Sequence, residues 1–244
     1  MTYLNKKKFF NKYGYLIQRN FFDKKLIEDC YRSISREEKS IIKLIKKGTL
    51  SKENYAYEKN SLKYLKNVNF YVKTLNKLIK KKLFCIVDEI SIKNYYLNFV
   101  ELHKKKSGGS RTPPHQDRFF FCLKTGHALT AYLALNKQNT KNGILNYISG
   151  SHKKNFKHVR SDEIGFSAQI DEKEFDKYKK KIIRTHLNPG DLMIHDYNLV
   201  HFADQNKSKK ARVNLVFRFM SQDFELDKKK INIWKELFKS SKRR

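Results

Sequence analysis

The sequence predicts an α+β fold with a mainly β core, of sandwich or jelly-roll type, preceded by helices and closed by one more helix. Three observations predict it. Up to about residue 84 the apolar residues recur at helical spacing; from there to 222 the runs shorten to strand length, with turn punctuation between them. The third observation is size. A chain of 244 residues with 39% hydrophobic residues, 14 Tyr and 18 Phe is long and apolar enough to bury a sizeable core. No linker-like stretch and no internal repeat divides it, so one domain over 1–244 is expected: a helical N-terminal segment over 1–84, a β core over 85–222 and a terminal segment over 223–244.

The elements follow in order. Tyr13-Gly14-Tyr15-Leu16-Ile17 is a short apolar run after a glycine and reads as a strand. Asp23 is placed to cap a helix over 24–34, whose Leu26, Ile27, Cys30 and Ile34 share one stripe. A second helix over 37–47 stops near Gly48. A third over 61–83 carries Leu62, Leu65, Val68, Val72, Leu75, Leu78 and Ile79 at helical spacing. Strands are then expected at 92–103, 118–123, 128–135, 144–149, 181–187, 191–196 and 212–220. Ser107-Gly108-Gly109, Lys124-Thr125-Gly126, Asn142-Gly143, Ser149-Gly150 and Asn188-Pro189-Gly190 mark turns between them. In the last strand Val213, Leu215, Phe217 and Phe219 alternate with Asn214, Val216 and Arg218. A helix over 223–238 closes the chain, using Ile231, Trp234, Leu237 and Phe238.

Charge and cysteine content narrow the function classes. Basic residues exceed acidic ones by 54 to 24, a net charge of +30. The excess is lysine, 43 against 11 arginines, in triplets scattered from 6–8 to 228–230. Readers of nucleic acid draw on the guanidinium fork and on recognisable modules, and none of those strings is present. The charge is read as a solvated surface, with an anionic substrate as the functional alternative and no nucleic-acid partner expected. No run approaches the ~18 apolar residues of a membrane span, and Lys6, Lys7, Lys8 and Lys12 break any secretory signal core. Cys30, Cys85 and Cys122 are odd in number and far apart, which argues against a disulfide framework or a zinc ribbon. A reducing, cytoplasmic setting is expected.

The chemistry is concentrated in four ordered motifs. Thr112-Pro113-Pro114-His115-Gln116-Asp117 offers a His and an Asp one residue apart; on a strand both project to one side, able to grip one metal. Taken alone, that triplet is a weak signal. Downstream, Pro189-Gly190-Asp191 feeds a strand delivering His195, followed by His201 and, eleven residues later, Arg212. Two imidazoles and a carboxylate make the facial triad of non-haem Fe(II) oxygenases, leaving three coordination positions open. A guanidinium on a neighbouring strand suits a carboxylate. His195 competes with His201 as the distal ligand, but only His201 has an Arg at plus eleven. Arg118 and Arg111 flank the metal motif. A zinc hydrolase would also use two His and a carboxylate, but no H-E-x-x-H helix is present.

With these residues the chain resembles the phytanoyl-CoA dioxygenase family of Fe(II)/2-oxoglutarate oxygenases. The resemblance rests on His115-Gln116-Asp117, on Asn142-Gly143-Ile144-Leu145 with Ser149-Gly150-Ser151-His152, on Pro189-Gly190-Asp191, and on His201, Asn206, Ser208 and Arg212. It spans nearly the whole chain, since Lys12-Tyr13-Gly14-Tyr15-Leu16-Ile17 matches the family's opening strand. It implies a double-stranded β-helix (jelly roll) with the N-terminal helices packed on one sheet. It also implies His115, Asp117 and His201 as ligands of Fe(II), and Arg212 as the anchor of the far carboxylate of the cosubstrate, 2-oxoglutarate. With O2 the cosubstrate would be oxidised to succinate and CO2 while a small molecule, polar or anionic, is hydroxylated. Two departures stand out. Ala203 occupies the place of a Ser or Thr whose hydroxyl normally assists the Arg, so Thr130 or Tyr132 is expected to serve. Ile148 replaces a turn proline. The alternatives are an oxygenase acting on nucleic acid or another macromolecule, and a non-catalytic jelly roll with a vestigial site.

Overall fold

The computed structural model describes residues 2–58, 61–91, 93–163 and 166–239. Its helices are α1 (Tyr3–Tyr13), α2 (Lys24–Lys46), α3 (Val68–Tyr71), α4 (Lys81–Ile90), α5 (Arg118–Phe121), α6 (Glu172–Asp176) and α7 (Lys228–Lys239). The N-terminal strands are β1 (Tyr15–Gln18), β2 (Tyr55–Glu58), β3 (Ser61–Lys66), β4 (Tyr95–Lys105) and β5 (Thr112–His115). Next come β6 (Leu123–Thr125), β7 (Ala128–Ala134), β8 (Leu145–Ile148), β9 (His158–Arg160) and β10 (Ala168–Ile170). The last are β11 (Ile182–Arg184), β12 (Leu192–Asp196), β13 (His201–Ala203), β14 (Arg212–Ser221) and β15 (Glu225–Leu226).

A seven-stranded sheet in the order β1-β12-β7-β14-β4-β3-β2 faces a four-stranded sheet ordered β11-β8-β13-β5. Every pairing is antiparallel, and successive strands cross between sheets as a jelly roll requires. The alternation expected in β14 sorts its side chains between two buried environments. Val213, Leu215, Phe217 and Phe219 meet Ile27, Cys30, Ile34 and Ile41 of α2 and Leu83, Val87 and Ile90 of α4 in one apolar layer. Arg212, Val216 and Arg218 face the space between the sheets. In β7, Leu129, Ala131 and Leu133 join the helix layer, while Thr130 and Tyr132 face inward. The helices cover one face of the large sheet, and polar chemistry is confined to the other.

Several elements differ from the sequence expectation. The two helices expected over 24–47 are one continuous α2, begun by the Asp23 side chain accepting from the Lys25 and Leu26 amides. The helix expected over 61–83 is instead β3, α3, a 3-10 segment and α4. Leu62 and Leu65 at spacing three fit a helix, but β3 pairs with β4 and completes the sheet, so tertiary pairing overrides the local pattern. The N-terminal third therefore contributes three strands to the large sheet, and residue 84 lies inside α4. The strand expected over 118–123 is α5 for its first four residues: Phe120 and Phe121 amides both donate to the Asp117 carbonyl as the chain turns away from β5. The closing helix begins later than expected, because Glu225 and Leu226 pair with β6 first. It has no buried residue. Among the described residues no helix is long and apolar enough to cross a membrane.

Candidate active site

His115 ends β5 and His201 begins β13, and the two are register partners. Asp117 does not stand on the strand with His115, as the H-x-D spacing suggested. It follows the end of β5 in helical conformation, φ −56° and ψ −29°, which swings its carboxylate back towards the imidazoles. The three side chains are buried, and one ligand atom from each lies within 4.8 Å of the others. No other group of three or more potential ligands clusters this way among the described residues.

The hydrogen bonds decide which atoms face the centre. His115 Nδ1 lies 2.8 Å from the Pro113 carbonyl and His201 Nδ1 lies 3.0 Å from the Leu199 carbonyl. A carbonyl only accepts, so each Nδ1 carries the proton and each Nε2 keeps a free lone pair. Both Nε2 atoms look at one oxygen of Asp117, Oδ1, at 3.8 and 3.7 Å. Its other oxygen, Oδ2, accepts from Thr130 Oγ1 at 2.8 Å and from Arg218 Nη1, and His195 Nε2 is 3.4 Å away. Burial lowers the pKa of both ligand histidines, His201 well below its usual value, which favours the neutral, ligating form. Burial pushes Asp117 the other way, but Arg218 and His201 override it and hold the carboxyl well below the usual carboxylate range. Two neutral imidazole nitrogens and one free carboxylate oxygen fit Fe(II).

At the far end of the cavity Arg212 begins β14. It is buried, and Nη1 donates to the Gly143 carbonyl at 2.5 Å while Nε has no partner. Lys105, its register partner in β4, is 3% exposed. The Lys105 ammonium donates to the Asp204 carbonyl at 2.7 Å and reaches that of Ala203 at 3.5 Å. Burial and the neighbouring Arg212 push the Lys105 pKa well down. Asn214, two residues beyond Arg212, is fully buried with neither amide atom bonded. Two buried cations and several orphaned polar atoms make a receptor for an anion with acceptor oxygens.

The remaining motifs build this frame. The Asn139–Asn142 capping box sets Gly143 at φ +70°, which aims its carbonyl at Arg212. Ser151 Oγ accepts from the Val200 amide, and the His152 carbonyl accepts from Asn198, bracing the approach to His201. Asp191 of the Pro-Gly-Asp turn takes Arg19 and the Asn20 amide, tying β1 to β12. Asn206 bonds the Lys105 and Lys210 carbonyls, holding the start of β14 beside the end of β4.

The two hydroxyls expected to touch the cosubstrate already have protein partners. Thr130 spends its hydroxyl on Asp117, and Tyr132 donates to Gln138 Oε1 at 2.7 Å, although both line the cavity. His195 is buried beside Asp117, with Nδ1 2.7 Å from the Tyr147 hydroxyl. Arg111 does not stand free: it pairs with Glu163 and Glu172. Sequence reasoning missed Lys105, Arg218, Glu101 and His158. The alternation along β4 that turns Glu101, His103 and Lys105 to one side was the available signal for two of them. His158 accepts from the Gln116 amide, donates to the Phe156 carbonyl and stacks on Phe119, steadying the turn that carries Asp117.

The cavity is about 290 Å³ and its outer region is aromatic, with Phe99, Phe120, Phe121, Phe166 and Tyr64 among its walls. Fold and site together define a jelly roll with a buried His-Asp-His group able to hold one metal ion. The sequence profile of the phytanoyl-CoA dioxygenase family matches residues 10–214, and the chain belongs to that family. It is 30% identical over 112 residues to the dioxygenase lolE1 of Epichloe uncinata, a match covering 46% of this chain and 41% of that protein. Its fold is similar to that of EctD from S. alaskensis, solved with 2-oxoglutarate and 5-hydroxyectoine: TM-score 0.74 at 17% identity, covering 91% of this chain and 77% of EctD. It is also similar to SnoN, a non-haem α-ketoglutarate-dependent epimerase of nogalamycin biosynthesis, with TM-score 0.70 at 18% identity over 95% of this chain and 88% of SnoN.

Proposed function

We propose that the chain is a hydroxylase that uses Fe(II), 2-oxoglutarate and O2 to oxidise a small molecule, releasing succinate and CO2. His115, Asp117 and His201 would hold the metal. The carrying observation is the pair of Nδ1 bonds to Pro113 and Leu199, which leaves two Nε2 lone pairs facing one carboxylate oxygen. Bound iron supplies the activation of O2 and the two-electron oxidation of the keto acid.

This chain's own residues bind, orient and exclude water. Arg212 anchors the far carboxylate of the cosubstrate by its free Nε and its guanidinium edge. Lys105, which lines the same cavity beside Arg212 and reaches the Ala203 carbonyl, offers a second charged donor for that carboxylate. It is a better candidate for that duty than Thr130 or Tyr132. Phe120 and Phe166 lie against His115, ring centroids 5.7 and 5.1 Å apart, and keep water from that side of the centre. The substrate is read as a small molecule with a polar or anionic group beside an apolar body, from the mixture of His103 and Lys63 with the phenylalanines in the cavity wall. Cys30, Cys85 and Cys122 are free thiols, which supports a reducing, cytoplasmic setting.

The test is anaerobic loading with Fe(II) followed by 2-oxoglutarate and air, with metal content and succinate measured. About one iron per chain and slow succinate release without substrate are expected. A protein that binds Fe(II) no better than its His201→Ala variant would sink the reading.

A further inference from the structure

Arg218 is a half-buried cation, its side chain 14% exposed, that the sequence motifs do not account for. Its Nη1 donates to Asp117 Oδ2 and, at 2.7 Å, lies against Thr130 Oγ1; its Nε donates to Glu101 Oε2 at 2.9 Å. Glu101 is 5% exposed and takes two further partners, Tyr64 Oη on Oε1 at 2.9 Å and His103 Nε2 on Oε2 at 3.1 Å. Tyr64 and His103 face each other across β3 and β4 and belong to the cavity wall. A continuous chain of charged hydrogen bonds thus runs from the cavity wall to Asp117.

We propose that Arg218 is a positioning residue that keeps Asp117 a one-oxygen ligand and couples it, through Glu101, to the substrate side of the cavity. The inference rests on the metal-site reading above. The two oxygens of Asp117 are unequal. Oδ1 faces both Nε2 atoms, while Oδ2 is engaged by Arg218 and Thr130 and approached by His195. An oxygen so engaged is withheld from the metal, and the three positions that two His and a monodentate carboxylate leave open stay open. Bidentate Asp117 would occupy one of them and leave too few for a chelating cosubstrate and O2 together. Glu101 sets how much of the Arg218 charge falls on Asp117. A substrate group that draws on Glu101, His103 or Tyr64 would therefore alter the hold on Asp117.

Mn(II) is the probe, because its bound waters are counted by water-proton relaxation and its affinity by the EPR signal of the free ion, with no turnover involved. Wild-type protein should show about three exchangeable waters on Mn(II). Arg218→Met should show about two, because Oδ2 is released to the metal, and should bind Mn(II) about tenfold more tightly, because a neighbouring positive charge is gone. Arg218→Lys, which keeps one donor on Oδ2, should restore about three. Glu101→Gln should weaken Mn(II) binding about threefold, the opposite sign, because the whole Arg218 charge then bears on Asp117. A residue that merely braces the fold would not move hydration and affinity in this pattern. Unchanged hydration in Arg218→Met, or tighter binding in Glu101→Gln, overturns the proposal. If Arg218→Met does not fold, the double variant Arg218→Met, Glu101→Gln removes both members of the ion pair together and is read in its place, again with two waters expected and three overturning. Failure of wild-type protein to bind Mn(II) overturns the metal site itself, a separate outcome.

Discussion

His201 lies directly opposite His115 across the β5–β13 pair, ring centroids 4.1 Å apart. Backbone pairing sets the two imidazoles side by side, and each is held in one tautomer by a carbonyl two residues before it.

Replacing either histidine by alanine is therefore expected to remove metal binding while leaving the sheet intact. Fe(II) or Mn(II) affinity should fall more than about 100-fold, beyond the loss usual for an outer partner. Circular dichroism of the metal-free variants should match wild type. Metal titration followed by succinate measurement checks the claim, and a His115→Ala protein that still binds one tight ion would contradict it.

Cosubstrate binding should separate Lys105 from the two hydroxyl residues. Arg212→Lys is expected to raise half-saturation by 2-oxoglutarate about 30- to 1,000-fold, since an ammonium cannot replace the guanidinium fork. Lys105→Met should raise it about tenfold through the loss of one charge-assisted bond. Tyr132→Phe should change it less, because that hydroxyl already serves Gln138. A larger effect at Tyr132 than at Lys105 would return the role to the hydroxyl.

Gly143 offers a backbone test of the same anchor. Its φ is +70°, and a Cβ there would overlap the Asp204 carbonyl oxygen, while its own carbonyl holds Arg212. Gly143→Ala should cost about 1–3 kcal/mol and raise the 2-oxoglutarate requirement together. Gly48 has a similar φ of +74° with nothing near its Cβ position, so Gly48→Ala should cost only the local strain and leave cosubstrate binding alone. Thermal melts and binding titrations on both variants make the comparison.

Acid should destabilise the metal-free protein in two stages. Burial and the nearby His115 lower the His158 pKa to about 4. The unfolded chain takes up that proton first, near its ordinary value, so stability is full above about pH 6.5 and falls as pH drops towards 4. Burial alone would raise Glu101, but Arg218 and His103 override it and bring it to about 2. Its contribution is present above about pH 4.3 and is lost as pH falls through 2. Melting temperature should thus decline from pH 7 to 4 with a shallower slope in His158→Gln, and decline again below. Equal slopes in the two proteins would remove His158 from the account.

The distribution of legible and illegible features has a physical pattern. His115, His201 and Arg212 are readable because each stands in a motif that carries the family resemblance. The alternation of Val213, Leu215, Phe217 and Phe219 with Asn214, Val216 and Arg218 announces a two-faced strand, since side chains on a strand alternate with period two. What alternation cannot say is which buried face each set meets, or which distant strand supplies a partner. Arg218 and Asp117 are 101 residues apart in the chain, and Arg218 and Glu101 are 117 apart. Their pairing exists only because β14 lies between β4 and β7. The same limit explains 61–66. Leu62 and Leu65, three apart, fit a helical stripe and not the period of two of a regular strand; a register shift in the β2–β3 pair lets both be buried, and pairing with β4 decides for the strand. Asp117 shows it within three residues: sequence offered it as a ligand by chemistry, but the turn at the end of β5, not strand alternation, aims its carboxylate. The sequence by itself thus determined the family of the fold and named the candidate donor set and anchor, because these depend on residue identity and short-range period. Tertiary structure alone decided the second cation at Lys105, the hold of Arg218 on Asp117 and the wall around them, because those contacts depend on strand order, which no local pattern encodes.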